Sequence, residues 1–459
     1  MRGLTWQVAD WVAALRPEAI PRAVAESVGL LALDTLGAGL AGRSLPWTEA
    51  IRAWALAAAP GEAPTGRARI WGEATAMLRA ADAALVNGAA SHAFELDDFH
   101  NAKLHPGAVV VPAALALGEA INASGETVLA AIAAGYEVMI RTSLALGPAA
   151  ARGRGWHLTA VCGTYGAAAT AALLLRLDAE RTAWALGLAG TQSGGLFAFT
   201  TDGSNSKRLH PGRAAQSGIM AAELAALGLS GPTVVYEAED GGFLRAFVER
   251  PEPERLISEL GRHWHAAETS FKPHACCGSL HAHVDAALQL RSQWRRDGQV
   301  RVGMAKLVER QCGYPYAPGS ALNAQMSARY CIAAALLDGA VLPAQFTAER
   351  IADPAITRLA QRIELVHDPA HDALYPGHFL GWTEVETADG MRRASVLDPS
   401  GSPENPAMPE GVRRKFAALA QPLLGTAGAA ALAQGFAGLR GLPVRALLDR
   451  AVMREAGHV

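Results

Sequence analysis

From residue 5 to residue 250 the chain carries one apolar-periodic segment after another, with hydrophobic positions recurring at spacings of three and four and with Gly, Pro or Ser at the ends. TWQVADWVAAL, AVAESVGLLALDTLGAGLAG, AMLRAADAALVNGAASHAFEL, GETVLAAIAAGYEVMIRTSLAL and LTAVCGTYGAAATAALLLR are examples. Such a succession can bury its stripes only by stacking helix on helix, and the Ala and Gly along these segments permit close approach. After about residue 265 the texture changes. A helix pattern, SLHAHVDAALQLR, precedes the strand-like VRVGMAKLVER, two more helical stretches, the strand-like IELVHD, and GWTEVETADGMRRASVL. In the last of these an ADG turn joins two runs of period-two alternation, the mark of a hairpin. The expected fold is therefore mainly α: a large all-α domain over residues 1–265, a smaller α+β domain over 266–404 acting as a lid, and a helical tail, 405–459, returning to the large domain.

Composition narrows the function classes. The 459 residues include 41 basic and 43 acidic side chains, a formal charge of −2, and only 18% charged residues against 50% hydrophobic. That excludes a disordered chain and gives no cationic footprint for a nucleic acid, while small acidic ligands remain open to locally placed cations. Five cysteines without a C-x-x-C pair read as a reducing compartment, and the N-terminus lacks the pattern of a secretory signal, so a cytoplasmic location is expected. Long apolar stretches are cut by Asp34 and Glu119 and read as buried helices rather than membrane spans. Of the basic residues only five are lysines: Lys103, Lys207, Lys272, Lys306 and Lys415.

Four polar clusters interrupt this apolar background. SHAFELDDFHNAKLHPG gathers His92, Glu95, Asp97, Asp98, His100, Lys103 and His105, a density of ionisable groups that is costly beside buried helices unless they are paired, ligated or used. The alternative is a solvated interhelical loop. In RGRGWHLTAVCG, His157 precedes a helix, whose dipole disfavours the imidazolium, or serves as a capping or core residue. SNSKRLHPGR places Lys207, Arg208, His210 and Arg213 where a helix opens, fit to hold carboxylates or simply a solvated basic loop, and no phosphate-loop string is present. SFKPHACCGS offers Lys272 and Cys277, the latter either a nucleophile near a helix start or a small buried filler. The H-x-H pairs His263/His265 and His281/His283, and the set Asp97, Asp98, His100, His105, raise a metal reading, but no complete ligand motif appears.

In order and spacing, NGAASHAFELDDFHNAKLHPGAVVVPAALALGE, GWHLTAVCGTYGAAA, GLAGTQSGGLFAF, SNSKRLHPGRAAQSG, EDGGFLRAF and AALLDG resemble the MmgE/PrpD family over nearly the whole chain. The resemblance implies an all-α domain with an α+β lid, a homodimer, no metal or organic cofactor, and activity on small di- or tricarboxylates: 2-methylcitrate dehydration, cis-aconitate decarboxylation or iminodisuccinate epimerisation. Each makes or breaks a bond next to a carboxylate, so negative charge develops there and must meet cations with an acid or base beside the carbon. By the family pattern His105 and His157 are the acid/base pair and Lys207 and Lys272 the carboxylate and oxyanion partners. Tyr314, with Tyr316 as alternative, is a further proton donor. Arg208 joins the substrate contacts, and Asp98 orients a histidine. Glu95 stands where Asp is common and Phe99 where Thr is common. Cys277 stands where decarboxylase members have a His, and the short HNAKLHPG loop differs from the 2-methylcitrate dehydratase form. The expectation is a cofactor-independent lyase or isomerase at the α-carbon of a small polycarboxylate, dehydration ahead of epimerisation or decarboxylation. Its competitors are a Mg²⁺-dependent helical enzyme using Asp97 and Asp98, and a non-enzymatic scaffold in which the four clusters lie apart.

Overall fold

The computed structural model describes residues 2–58, 66–375, 377–406 and 409–452. It is mainly α, as the periodicity requires. At its centre the helix Leu158–Leu174 packs against Gly125–Leu146 and Ser206–Ala226, and the last packs in turn on Ala80–Ser91. Glycines set these crossings. A Cβ on Gly212 would lie 2.1 Å from the Leu85 carbonyl, and one on Gly88 would lie 2.8 Å from the Gly212 Cα. The two backbones thus touch, and the touch brings the start of Ser206–Ala226 next to the end of Ala80–Ser91, where two of the polar clusters sit.

Arg22–Gly42 and Gly125–Leu146 are long and apolar enough to cross a membrane by length and composition, yet they lie largely inside the protein core. A third such helix, Pro409–Ala437, bends at Gly425 (φ +69°) and has only 22% of its apolar stretch buried. It packs on Arg22–Gly42 through Phe416 and Ala420, which belong to the same core as the N-terminal helices. Positions 407–408 and 453–459 of the expected tail lie outside the described residues.

A second core, with Leu280, Val302, Tyr330 and Ile356, lies around a four-stranded sheet of order β4-β3-β5-β6: β3 (Val300–Met304), β4 (Glu364–His367), β5 (Gly381–Thr387) and β6 (Gly390–Val396). β3 runs parallel to β4 and antiparallel to β5, and β5–β6 is the hairpin expected from the ADG turn, with Gly390 at φ +107°. The strand expected over VRVGMAKLVER stops at Met304. Its second half is the helix Lys306–Cys312, whose first N–H is accepted by Asp372. KLVER consists mostly of good helix formers, and that helix start decides the local competition. A two-stranded ribbon, β1 (Arg67–Arg69) with β2 (Met77–Arg79), sits in the helical half and is too short to show period-two alternation in sequence.

Candidate active site

The segment that follows Ala80–Ser91 is held in a shape few sequences adopt. Glu95 (φ +57°) and Lys103 (φ +60°) both sit in the left-handed region, a strained state for residues with a Cβ. Two hydrogen bonds between Phe99 and Ser270 fix it in place: Phe99 N–H to the Ser270 carbonyl (3.0 Å) and Ser270 N–H to that of Phe99 (2.8 Å). This pairing delivers Lys272 to the same spot. The result is a cavity of about 120 Å³ lined by Glu95, Phe99, His105, His157, Lys207, Lys272 and Cys277, so the clusters converge and the scattered scaffold is ruled out.

At its floor lies a buried charge cluster. Glu95 accepts from Lys207 Nζ and from Arg208 (2.6 Å), with Lys272 Nζ at 3.6 Å from its other oxygen and 3.2 Å from its carbonyl. Burial alone would raise the Glu95 carboxyl, but Lys207, Arg208 and Lys272 outweigh it and hold it well below the usual range. Lys207 is pushed down, first by burial and then by Arg208 and Lys272, against the pull of Glu95. Arg208 does not line the cavity. It spans from Glu95 to the His92 carbonyl (2.8 Å) and to Gln325 (2.9 Å), whose amide donates to the Phe94 (2.7 Å) and Ala275 (3.1 Å) carbonyls. Gln325 thus ties three segments together, a role with no local signal in sequence.

Three imidazoles gather above this cluster, the rings of His92 and His105 4.8 Å apart and those of His92 and His157 6.1 Å apart. His92 Nδ1 lies 2.7 Å from the Asp97 carboxylate, and His105 Nδ1 lies 2.8 Å from the Asp98 carbonyl and 3.4 Å from Asp97. A carbonyl can only accept, so His105 carries a proton on Nδ1, and its neutral form presents the lone pair at Nε2. The carboxylate that faces the imidazoles is that of Asp97, not of Asp98, and His92 and His105 hold it well below the usual range despite burial. Asp98 contributes only its backbone oxygen. Its carboxylate turns away to Tyr136 Oη (2.5 Å) and the Gly107 N–H (2.9 Å) and is pushed up to about 7 by burial and then by Asp97.

His157 precedes Leu158–Leu174 and shares a 2.8 Å Nδ1–Nδ1 hydrogen bond with His210. One ring must donate and the other accept, so the accepting ring is unprotonated at Nδ1, and both imidazoles are pushed down chiefly by burial, with Lys207 adding to it. Burial, more than the helix dipole, keeps His157 neutral.

The tyrosine expectation shifts. Tyr314 lines a neighbouring cavity, where its hydroxyl donates to the Asn323 carbonyl, and Tyr316 is buried with its hydroxyl on Ile351 (3.1 Å). The tyrosine facing the inner cavity is Tyr375, 3.5 Å from Lys103 Nζ. Cys277 lines the cavity beside Gln311 (3.5 Å), its thiol pushed down by the Cys312 thiol, the Ser279 N–H and Lys272.

Two groups have the spacing of metal ligands, His92/Asp97/His105 and His100/His265/Glu268. In the first, both Nδ1 protons and Asp97 Oδ2 already serve one another or Asp98. In the second, His100 Nδ1 accepts from the Ala102 N–H (3.0 Å), which puts its proton on the nitrogen facing Glu268. Glu268 is also shared by His263 and His265, each at 2.8 Å. The pair Asp97 and Asp98, needed by the Mg²⁺ reading, points to two different sets of partners and makes no joint ligand.

Residues 6–256 match the model of the MmgE/PrpD N-terminal domain and residues 274–436 that of the C-terminal domain. The chain belongs to the MmgE/PrpD family. Among its relatives are a cis-aconitate decarboxylase-like protein, oryM, of Aspergillus oryzae, 31% identical over 92% of this chain and 91% of that protein, and the cis-aconitate decarboxylase of Aspergillus terreus, 30% identical over 91% and 89%. The human cis-aconitate decarboxylase is 29% identical over 85% of this chain and 82% of its own. These MmgE/PrpD relatives are lyases, and they weigh on the decarboxylase side of a choice that Cys277 had tilted the other way.

Asp98 gives a prediction that needs no substrate. Its carboxyl has a higher proton affinity in the folded state, about 7, than the unfolded 3.8. Between those values the native state binds more protons, so stability falls as pH rises from about 4 to about 7 and stays lower above. Asp98→Asn, which mimics the protonated form, should flatten this slope. Melting temperatures at pH 5 and pH 8 check it: the wild type loses more over that interval than the variant, and equal losses would count against a neutral Asp98.

Proposed function

We propose that this protein is a lyase acting by proton transfer at the carbon next to a carboxylate of a small di- or tricarboxylate, with loss of water. The observation that carries this is the His105 tautomer: an imidazole with a free Nε2 lone pair in a cavity lined by Lys207 and Lys272. Lys272 and Lys207 hold the carboxylate and take up the charge of the enolate-like species. His105 Nε2 accepts the α-proton, the C–H electrons become the alkene bond, and the β-hydroxyl leaves as water. Its proton comes from Lys207, which burial has made a readier donor, while burial holds the His157–His210 pair in the neutral form, a far weaker acid. His157 instead shapes the cavity with Phe197 and Phe199, whose rings lie 5.6 Å from its own.

Decarboxylation is the second reading, favoured by the relatives' activity and by the apolar wall of Phe99 and Phe379 (5.8 Å apart), against which a carboxylate is poorly solvated. Proton NMR in D₂O across a panel of di- and tricarboxylates decides. An alkene formed without release of carbon dioxide supports dehydration. An alkene with carbon dioxide transfers the assignment to decarboxylation, and deuterium exchange with no net reaction transfers it to epimerisation. No reaction and no exchange across the panel defeats the proposal. The chain dimerises, in this reading, through the exposed side of the apolar helix Pro409–Ala437; sedimentation should show a dimer, and a monomer throughout would count against it.

A further inference from the structure

The inner cavity shares Lys103, Arg152, Gln311 and Met326 with a second, adjoining one of about 440 Å³, lined also by Arg310, Tyr314 and Asn323. The site described so far uses none of this outer space. Among the described residues no Asp or Glu lines it, although three cations do. Among the described residues none of these three is ion-paired. Lys103 Nζ has only the Tyr375 hydroxyl at 3.5 Å and that ring at 5.2 Å, Arg152 lies over the Phe197 ring at 3.5 Å, and Arg310 is exposed. At the floor of the inner cavity, by contrast, each buried cation reaches a carboxylate, Lys207, Arg208 and Lys272 all meeting Glu95. Lys103 is moreover carried to the junction of the two cavities on a left-handed backbone, a strain that persists only where the surroundings enforce it. Burial and the neighbouring Arg152 both lower its proton affinity, so the protein bears a cost to keep these charges together.

We propose that Lys103, Arg152 and Arg310 form a second anion subsite, which binds a carboxylate of the substrate remote from the reacting carbon. The preferred substrate is then longer than the inner cavity can hold: a dicarboxylate end at Lys207 and Lys272, and a further carboxylate on a short arm reaching the outer cavity. This rests on the polycarboxylate reading above and deepens it. Arginines at the outer wall provide a bidentate fork, and Lys103 a point charge at the passage.

Two probes separate the subsites. Butane-1,2,4-tricarboxylate carries the remote carboxylate, and ethylsuccinate is the same skeleton without it. Titration calorimetry on the wild type should give at least tenfold tighter binding of the tricarboxylate. Arg310→Gln should erase most of that difference and leave ethylsuccinate binding unchanged, and Arg310→Lys should restore part of it. Equal wild-type affinities, or an Arg310→Gln variant that weakens both probes alike, would overturn the subsite while leaving the inner-site reading intact. Failure of ethylsuccinate and the tricarboxylate alike to bind the wild type would instead sink both.

Discussion

His105→Asn should lower kcat by about 10²–10⁴ on the best substrate of the panel, with KM changed by only a few-fold. The asparagine amide can still donate to the Asp98 carbonyl, which His105 Nδ1 reaches at 2.8 Å, so the segment keeps its anchor. What disappears is the lone pair on the far side of the ring. Because the carboxylate contacts at Lys207 and Lys272 remain, ground-state binding is spared and the loss falls on the chemical step. A folded variant retaining turnover within about threefold of wild type would show that another group is the base.

The second large effect is on stability. Glu95→Gln removes the one carboxylate that Lys207, Arg208 and Lys272 share and leaves three buried cations without their counter-charge. Breaking a buried pair on one side costs about 3–5 kcal/mol, and here several partners are stranded at once. Urea unfolding should show an unfolding free energy lower by that amount, read as a lower midpoint at unchanged slope. A polycarboxylate ligand should also raise the variant's apparent stability more than the wild type's, since it supplies negative charge beside the same cations. A loss below about 1 kcal/mol would mean that Lys207 deprotonates and the cluster relaxes.

Glu95 also illustrates how far the sequence reaches. Its place in the polar string marked it as unusual, and its being Glu where Asp is common marked the pocket as altered. Yet its three partners lie far along the chain, Lys207 112 residues away and Lys272 177. Nothing local in either string says that they meet. The same holds for the lysines as a group. Lys103, Lys207 and Lys272 stood out because they fell in the polar clusters, and all three line the inner cavity. Lys415 did not stand out, though its ammonium reaches Asp34 (2.8 Å) and the Leu96 carbonyl (2.6 Å) and so anchors the tail helix behind the site.

Where residues of one type had to be told apart, position in the motif did not show which way each side chain faces. Asp97 and Asp98 are neighbours in one string, but the chain direction changes there, and their carboxylates face the imidazoles and Tyr136 respectively. Tyr314 follows the first strand of the small domain as the family pattern implies, but its hydroxyl turns to Asn323, and the tyrosine lining the inner cavity is Tyr375.

The sequence by itself determined the helical architecture, the hairpin, the family and the segments that carry the chemistry. These are written in periodicity, turn residues and motif order, all properties of short stretches. Only the tertiary structure decided the tautomer of His105, the neutral His157–His210 pair, the charge balance around Glu95 and the empty-handed cations of the outer cavity. Each of these depends on which helices cross, and the crossings depend on contacts such as Gly88 on Gly212, where a missing side chain lets two backbones meet.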